Sequence, residues 1–467
     1  MLLFVRGHQS MPRKERAVNR VKSMCGGCAV ACLLAVTQLA SAPAHAAWPL
    51  NSGLNVSSRF PGGVVDLVAD SSHAYLIGGG GALGRVSLQD KTLDPSWGVD
   101  TSTPFDKGWP RKVELGSDAR GLTDVALDAR GRVLQYGWIG TGFAELRPFL
   151  TRTFPNGDVD SRFASKGIRM MRGYGNSRSG GAISGKLGLD RRQRIYQSVE
   201  RFRSPTASRG PLTKFTVVRL RRNGEVDRSY GKSGSAVLAI DQTRTQRMHM
   251  VDLAVRSDGQ IAALMVIPGH GVQVRSFTPA GKLDKPLTRA TRWMGDRGKN
   301  TKAVSIEFLK SGELLVVSAK KRHFASVKVA LANRNGAPRA AFSGDGRLRV
   351  NDTWMRNSFA PGVPSIKSNP VMAAGASVDS RGRIILSVGG PESDENRGYS
   401  IALRITPEGR GDRSFASQGT LVRYGVVYPR SRVLPVATVP NGLTVTVGGL
   451  NRNRSESESG TAIYLTR

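Results

Sequence analysis

The sequence predicts an all-β fold: a β-propeller of seven blades, each of four antiparallel strands, closed by an N-terminal strand that completes the last blade. Three observations predict it. A unit of about 60 residues recurs along the chain. Apolar residues within each unit alternate with period two, as at Val125/Leu127 and Leu253/Val255, and no stretch sustains a 3.6-residue period. The array also has one strand to spare at its start and lacks one at its end.

Residues 1–46 are expected to be a signal peptide rather than part of the fold. Arg6, Arg13, Lys14, Arg16, Arg20 and Lys22 precede an apolar run from Cys25 to Leu39, and Ala44-His45-Ala46 is a small-x-small cleavage site. Cleavage after Ala46 leaves 47–467 as one repeat domain, secreted or periplasmic, and a start at Met11 would not alter this. All three cysteines (Cys25, Cys28, Cys32) lie in the leader, so the mature chain is expected to fold without disulfides. No later segment is long and apolar enough for a transmembrane helix, and a monomer is expected.

In chain order, a strand from Gly53 to Phe60 stands before the first unit. The units then begin at Val64, Val125 (VALDARGRVLQYG), Leu187 (LGLDRRQRIYQSV), Leu253 (LAVRSDGQIAALMV), Ile306 (IEFLKSGELLVVS), Ala376 (ASVDSRGRIILSVGG) and Val436. Gly157, Gly224, Gly281, Gly336 and Gly409 mark the third turn of five units. Six residues after each stand Phe163, Tyr230, Leu287, Phe342 and Phe415, with Trp97 in the corresponding place of the first unit. Asp160, Asp227, Asp284 and Asp412 follow their glycines by three residues, and Arg152, Arg219 and Arg404 precede theirs by five. Arginines repeated at this spacing are read as structural partners of the turn aspartates. The last unit ends at its third strand, Thr461 to Thr466, and the spare N-terminal strand is expected to cover the edge that this leaves open.

The turn signature resembles the delta-60 repeat family of bacterial exported proteins, whose core reads G-x-x-D-x-S-[FY]. The copies at Gly224 and Gly409 carry it in full, and that at Gly157 follows it with its serine at Ser161. The copy at Gly281 lacks the aromatic residue and that at Gly336 the aspartate. The resemblance implies a propeller-like array and no particular activity.

In such a blade the first and third turns are short and uniform, and the other connections emerge together on the opposite face. Those connections vary in length, as in Ile139–Leu146, Arg201–Lys214, Thr101–Leu122 and Asn351–Val371. Variable loops on a rigid frame are where binding surfaces are usually built. Their cations and tryptophans are the candidate ligand-binding residues: Lys107, Trp109 and Arg111; Arg201, Arg203 and Arg209; Trp293 and Arg297; Lys320 and Arg322; Trp354; and Arg452. The chain carries a formal charge of +34, of which six bases and Glu15 place five in the leader, leaving +29. Such a field favours anionic partners. Anionic polysaccharide, lipopolysaccharide or a protein partner is therefore expected, with nucleic acid bound only non-specifically.

Motifs for chemistry are weak. Gly79 to Gly84 spells G-x-G-x-x-G, but RVSLQD continues as a strand where a dinucleotide site needs a helix. His73, His249, His270 and His323 fall in different units without metal spacing, and Ser343-Gly344-Asp345-Gly346 reads as a tight turn. No catalytic residue, metal or cofactor is assigned. A non-catalytic binding or scaffold propeller is the leading expectation. The alternative is an enzyme of lactonase, lyase or quinone-dependent type, which would gather carboxylates or histidines from several blades at the mouth of the central channel.

Overall fold

The computed structural model describes residues 53–55, 60, 64–78, 82–94, 97, 120–140, 146–171, 182–201, 213–240, 249–267, 270–296, 301–320, 326–359, 373–391, 398–416, 419–426, 435–439, 442–450 and 460–466. All of them belong to one compact unit, Pro49–Arg467.

Seven antiparallel sheets form a ring. Blade 1 holds β2 (Val64–Ala69), β3 (His73–Gly78), β4 (Leu83–Ser87) and β5 (Thr92–Leu93), after β1 (Gly53–Asn55). Blade 2 is β6 (Arg120–Leu127), β7 (Val133–Ile139), β8 (Arg147–Thr153) and β9 (Ile168–Met170). Blade 3 is β10 (Ala182–Leu189), β11 (Ile195–Arg201), β12 (Thr213–Leu220) and β13 (Ser235–Ile240). Blade 4 has β14 (His249–Val255), β15 (Ile261–Ile267) and β16 (Gly271–Phe277). Blade 5 is β17 (Thr301–Phe308), β18 (Leu314–Lys320), β19 (Val327–Ala332) and β20 (Arg347–Val350). Blade 6 is β21 (Ala373–Val378), β22 (Ile384–Pro391), β23 (Gly398–Ile405) and β24 (Thr420–Val426). Blade 7 is β25 (Val436–Thr438), β26 (Thr444–Leu450) and β27 (Gly460–Thr466). The first strands touch in succession around the ring, and β25 of blade 7 meets β2 of blade 1.

At the seam of the two chain ends, β1 pairs antiparallel with β27, with Gly53, Leu54 and Asn55 opposite Tyr464, Ile463 and Ala462. The pairing is three residues long. Of the remainder of the expected strand, 56–59 lie outside the described residues, and Phe60 is buried among the side chains of blades 1 and 7.

Apolar packing sits between blades, not within them. Leu134, Tyr136 and Leu150 of blade 2 meet Leu187, Ile195 and Leu220 of blade 3. Leu315, Val329 and Phe342 of blade 5 meet Ile384, Leu386 and Leu403 of blade 6. A blade is thus covered on both faces only by its neighbours, which is why second strands such as Ile261–Ile267 (IAALMVI) are nearly continuous in apolar residues. Each large side chain so buried contributes about 1.5–3 kcal/mol, and a blade on its own would forfeit much of that.

Blade 4 departs from four strands. In place of the outermost strand the chain forms α1 (Lys285–Ala290) and a 3-10 turn (Thr291–Met294). The local sequence dictates this: Asp284 caps Leu287 N at 2.9 Å, and Pro286 in the first turn suits a helix start while lacking the donor a strand needs. The exposed edge of β16 is still covered. Thr288 Oγ1 accepts from Ser276 N at 3.0 Å, and Asp296 forms a bridge with Val272. No helix of the described residues is long and apolar enough to cross a membrane.

Candidate functional site

The uniform turns form an outer ring of stitches. In blade 2, Asp128 accepts from Arg132 Nε at 2.7 Å, and Asp160 accepts from Arg132 Nη1 and Arg152 Nε, both at 2.9 Å. The Arg152 guanidinium lies 4.3 Å over the Phe163 ring and donates to the Arg222 carbonyl of blade 3 at 2.5 Å. Blade 3 repeats this: Arg219 pairs with Asp227 at 2.9 Å, covers Tyr230 at 4.7 Å and reaches Pro279 O of blade 4 at 2.9 Å. Blade 6 repeats the pairing and the stacking, with Arg404 bound to Asp412 at 2.7 Å and 4.9 Å over Phe415. Blade 5 reverses the charges, Arg339 in the aspartate position pairing with Glu313 at 3.0 Å. The repeated arginines are therefore structural, as their spacing predicted.

Turn glycines complete these seams. Gly281 has φ +82°, and a Cβ there would lie 2.6 Å from Gly231 N of blade 3. Burial alone would raise the Asp227 and Asp412 carboxyls; hydrogen bonds from Ser229 and Ser414, with Arg219 and Arg404, outweigh it and hold both below the ordinary aspartate range.

A second charged ring lines the inner strands, and sequence reasoning missed it. Asp66, Asp124, Lys186 and Asp252 each stand at or beside a bulge of the first strand in blades 1 to 4, with Ser305 in the same place in blade 5. A bulge re-aims the side chain next to it, and here the carboxylates turn onto the following blade. Asp66 accepts from Val125 N at 3.4 Å, Asp124 from Leu187 N, and Asp252 from Ile306 N at 2.9 Å and Ser305 Oγ at 3.0 Å. Glu307 continues the series by accepting from Val378 N at 3.1 Å. Lys186 Nζ bridges Asp124 at 2.9 Å and Asp66 at 3.4 Å.

Lys186 thus bonds two carboxylates, Asp124 and Asp66, and acts on a third, Asp252, while Glu307 is influenced by Asp252. Burial lowers Lys186, but Asp124, Asp66 and Asp252 outweigh it and raise the lysine, so the ammonium stays charged. Burial raises Asp124 and Asp252, with Lys186 opposing it in both. Glu307, buried and repelled by Asp252, is pushed up to about 8. The signal was present in the sequence as a charge directly before the apolar start of the strand: Asp66-Leu67, Asp124-Val125, Lys186-Leu187 and Asp252-Leu253. Among the described residues, no group of three or more His, Cys, Asp or Glu side chains is placed to hold a metal ion.

Of the candidate residues on the variable connections, Lys107, Trp109, Arg111, Arg203, Arg209, Arg297, Arg322 and Arg452 lie outside the described residues. Arg201 ends β11, opposite Ala182 and Lys214, and Lys320 ends β18 opposite Thr301. The two candidate tryptophans among the described residues are engaged in packing. Trp293 donates from Nε1 to Gly336 O at 2.8 Å beneath Arg347, and Trp354 meets Phe359 edge-on at 5.4 Å in α2 (Asp352–Ser358). The glycine-rich run ends as expected in strand β4, where Gly84 makes room for the Phe60 ring.

No family model matches the chain, and no curated protein matches it. Among solved structures it is similar to the Myceliophteria thermophila Cps50 (Swd1) β-propeller domain, with 10% identity and a TM-score of 0.41 over 88% of this chain and 99% of that one. It is also similar to an ulvan lyase, free (10% identity, TM-score 0.46) and bound to -[GlcA(1-4)Rha3S]- (10%, 0.45), each over 89% of this chain and 98% of that one. Likeness this distant carries no argument about ligand or chemistry.

Proposed function

We propose that the protein is a non-catalytic binding or scaffold propeller, exported by its leader, that recognises an anionic polymer or a protein partner through its variable-loop face. One observation carries this reading: many of the aspartates are buried in bonds, while many of the arginines at the uniform turns stand exposed. Asp124, Asp128, Asp160, Asp190, Asp227 and Asp379 are all buried and engaged in bonds within or between blades. Arg130, Arg191, Arg192, Arg221, Arg222, Arg381 and Arg410 are exposed. With a formal +29 expected once the leader is removed, these exposed arginines present positive charge that attracts polyanions.

The test is binding of the purified protein to an anionic polysaccharide, lipopolysaccharide and a neutral polysaccharide across a salt series. Saturable, selective binding that survives about 150 mM salt supports the reading. Equal weak binding to every anion, lost steeply with salt, refutes it.

The inner ring favours a second reading, an enzyme acting at the channel, because carboxylates of three blades, Asp66, Asp124 and Asp252, act on Lys186, and Glu307 of a fourth is repelled by Asp252. Against it, each of those carboxylates already accepts a backbone N–H of the next blade. Turnover of a polyuronate or lactone by the purified protein, abolished in Lys186→Met with the fold intact, would establish the enzyme reading.

A further inference from the structure

We propose that the uniform-turn end of blades 2 and 3 is a docking surface for a linear anionic polysaccharide. The inference rests on the polyanion-binding reading and adds a binding surface on the face opposite the variable loops.

Register brings the residues together. Leu127, Val133 and Thr153 align across blade 2, and Leu189, Ile195 and Leu220 across blade 3, so both turns of each blade emerge at one end. Two bonds tie these ends to each other, from Ala129 N to Gln193 Oε1 at 2.7 Å and from Arg152 Nη1 to Arg222 O at 2.5 Å. Five exposed arginines therefore share one surface: Arg130, Arg191, Arg192, Arg221 and Arg222.

The scaffold does not use their charge. The buried aspartates of this end, Asp128, Asp160, Asp190 and Asp227, are engaged by Arg132, Arg152, Arg194 and Arg219, and the exposed Asp158 accepts from Asn156 Nδ2 at 2.9 Å. Among the described residues the five exposed arginines have a single ion pair, Arg221 with Glu225 at 3.9 Å, with both side chains about three-fifths exposed (61% and 62%). Water screens such a pair almost entirely. Asp128 and Asp190 instead hold the backbone of the turns, accepting from Arg130 N and Arg192 N at 2.9 Å, which fixes the loops that carry the arginines.

The surplus is local. The equivalent first turn of blade 4 carries Asp258, which pairs with Arg256 at 2.8 Å and with Arg334 of blade 5 at 3.4 Å. Phe154, 39% exposed, stands at the same end of blade 2, where blades 4, 5 and 6 have Thr278, Asn333 and Thr406. Guanidinium forks match carboxylate and sulfate, and an exposed aromatic ring matches the C–H face of a sugar. The turns described on this surface are tight, with no helix or ribbon projecting to enter a duplex groove, so a charged glycan fits better than duplex DNA.

The probes are dextran sulfate, uncharged dextran and a short DNA duplex, compared across a salt series. The variants are Arg191→Ser/Arg192→Ser/Arg222→Ser, a second set Arg130→Ser/Arg221→Ser, and a same-face control Lys310→Ser/Arg381→Ser/Arg410→Ser, each checked by thermal melting. In the triple variant we expect dextran sulfate to bind about tenfold or more weaker, with the log–log salt slope falling by about one for each arginine–sulfate pair removed. The second set is expected to weaken binding by at least about threefold, and the control by less than about twofold. Equal losses in the control and the two blade 2–3 sets would overturn the location while leaving polyanion binding intact. Tighter binding of the duplex than of dextran sulfate, lost in the same variants, would overturn the choice of ligand. A wild-type protein that does not distinguish dextran sulfate from dextran would overturn the underlying reading itself.

Discussion

The outer and inner rings perform the same task with opposite electrostatics. In both, charged side chains bond to backbone groups of the next blade, as Arg152 and Arg219 do in the outer ring and Asp124 and Asp252 in the inner. In the outer ring every buried carboxylate has at least one guanidinium: Asp160 has Arg132 and Arg152, and Asp412 has Arg383 and Arg404. In the inner ring Asp66, Asp124 and Asp252 depend on Lys186, and Glu307 has no ion pair among the described residues. A balanced ring is insensitive to moderate pH and serves the frame. In the acid-rich ring Glu307 is pushed up to about 8, so it binds a proton near neutral pH.

The sharpest way to break this contrast is to remove an outer carboxylate. Asp160→Ala leaves the buried Arg152 guanidinium without its carboxylate and takes from Arg132 one of its two, and is expected to cost about 3–5 kcal/mol in urea unfolding. Asp284→Ala, at the same place in blade 4, removes only a helix cap and a bond from Gln260 and should cost about 1 kcal/mol. Equal losses at the two positions would show that the outer ring is not held by charge.

Next in size is the inner base. Lys186→Met leaves the carboxylates without a counter-ion and should cost about 2–3 kcal/mol at pH 8. At pH 5 the loss should be smaller, because the raised carboxyls Asp124 and Asp252 are nearer to their neutral forms there, and chemical denaturation at the two pH values checks it.

The rings should also differ in the sign of their pH dependence. Glu307, raised to about 8, binds its proton more tightly in the folded chain, so its contribution is full below the unfolded value and declines as pH rises through about 8. The decline is at most about 1.4 kcal/mol per pH unit for one group, and Glu307→Gln should remove it. Asp227 and Asp412 are lowered, so their contribution is present above the ordinary aspartate range and disappears as pH falls through their folded values. A melting profile that falls on both the acidic and the alkaline side, with only the alkaline limb flattened by Glu307→Gln, is the expected result.

The smallest effect separates seam glycines from free ones. Gly281 and Gly344 have similar positive φ, +82° and +85°, but only Gly281 has a neighbouring blade within reach of a Cβ. Gly344→Ala should cost about 1 kcal/mol for its backbone conformation alone. Gly281→Ala should cost at least about 1 kcal/mol more, because the backbone of blade 3 must shift.

The outer ring was legible because all its parts lie close together in the chain. Arg152, Gly157, Asp160 and Phe163 fall within one turn, and several units repeat them, so spacing alone paired arginine with aspartate. The inner ring was hidden by distance: Asp66, Asp124, Lys186 and Asp252 are about 60 residues apart, one per unit. A period-two reading also gives the wrong face for a residue beside a bulge, since one extra residue inverts the alternation. The helix of blade 4 was announced by Asp284 and Pro286, but the regularity of the repeat favoured a fourth strand there.

By itself, the sequence determined the architecture: seven units, their strand order, the turn register and the pairing of arginines with turn aspartates. Each of these depends on interactions within about 60 residues, which periodicity and spacing record directly. Only the tertiary structure decided which charges meet across blades, which carboxylates act on Lys186, and which arginines remain exposed at the uniform turns. Those outcomes depend on ring closure, which brings residues far apart in the chain to the same radius and the same face.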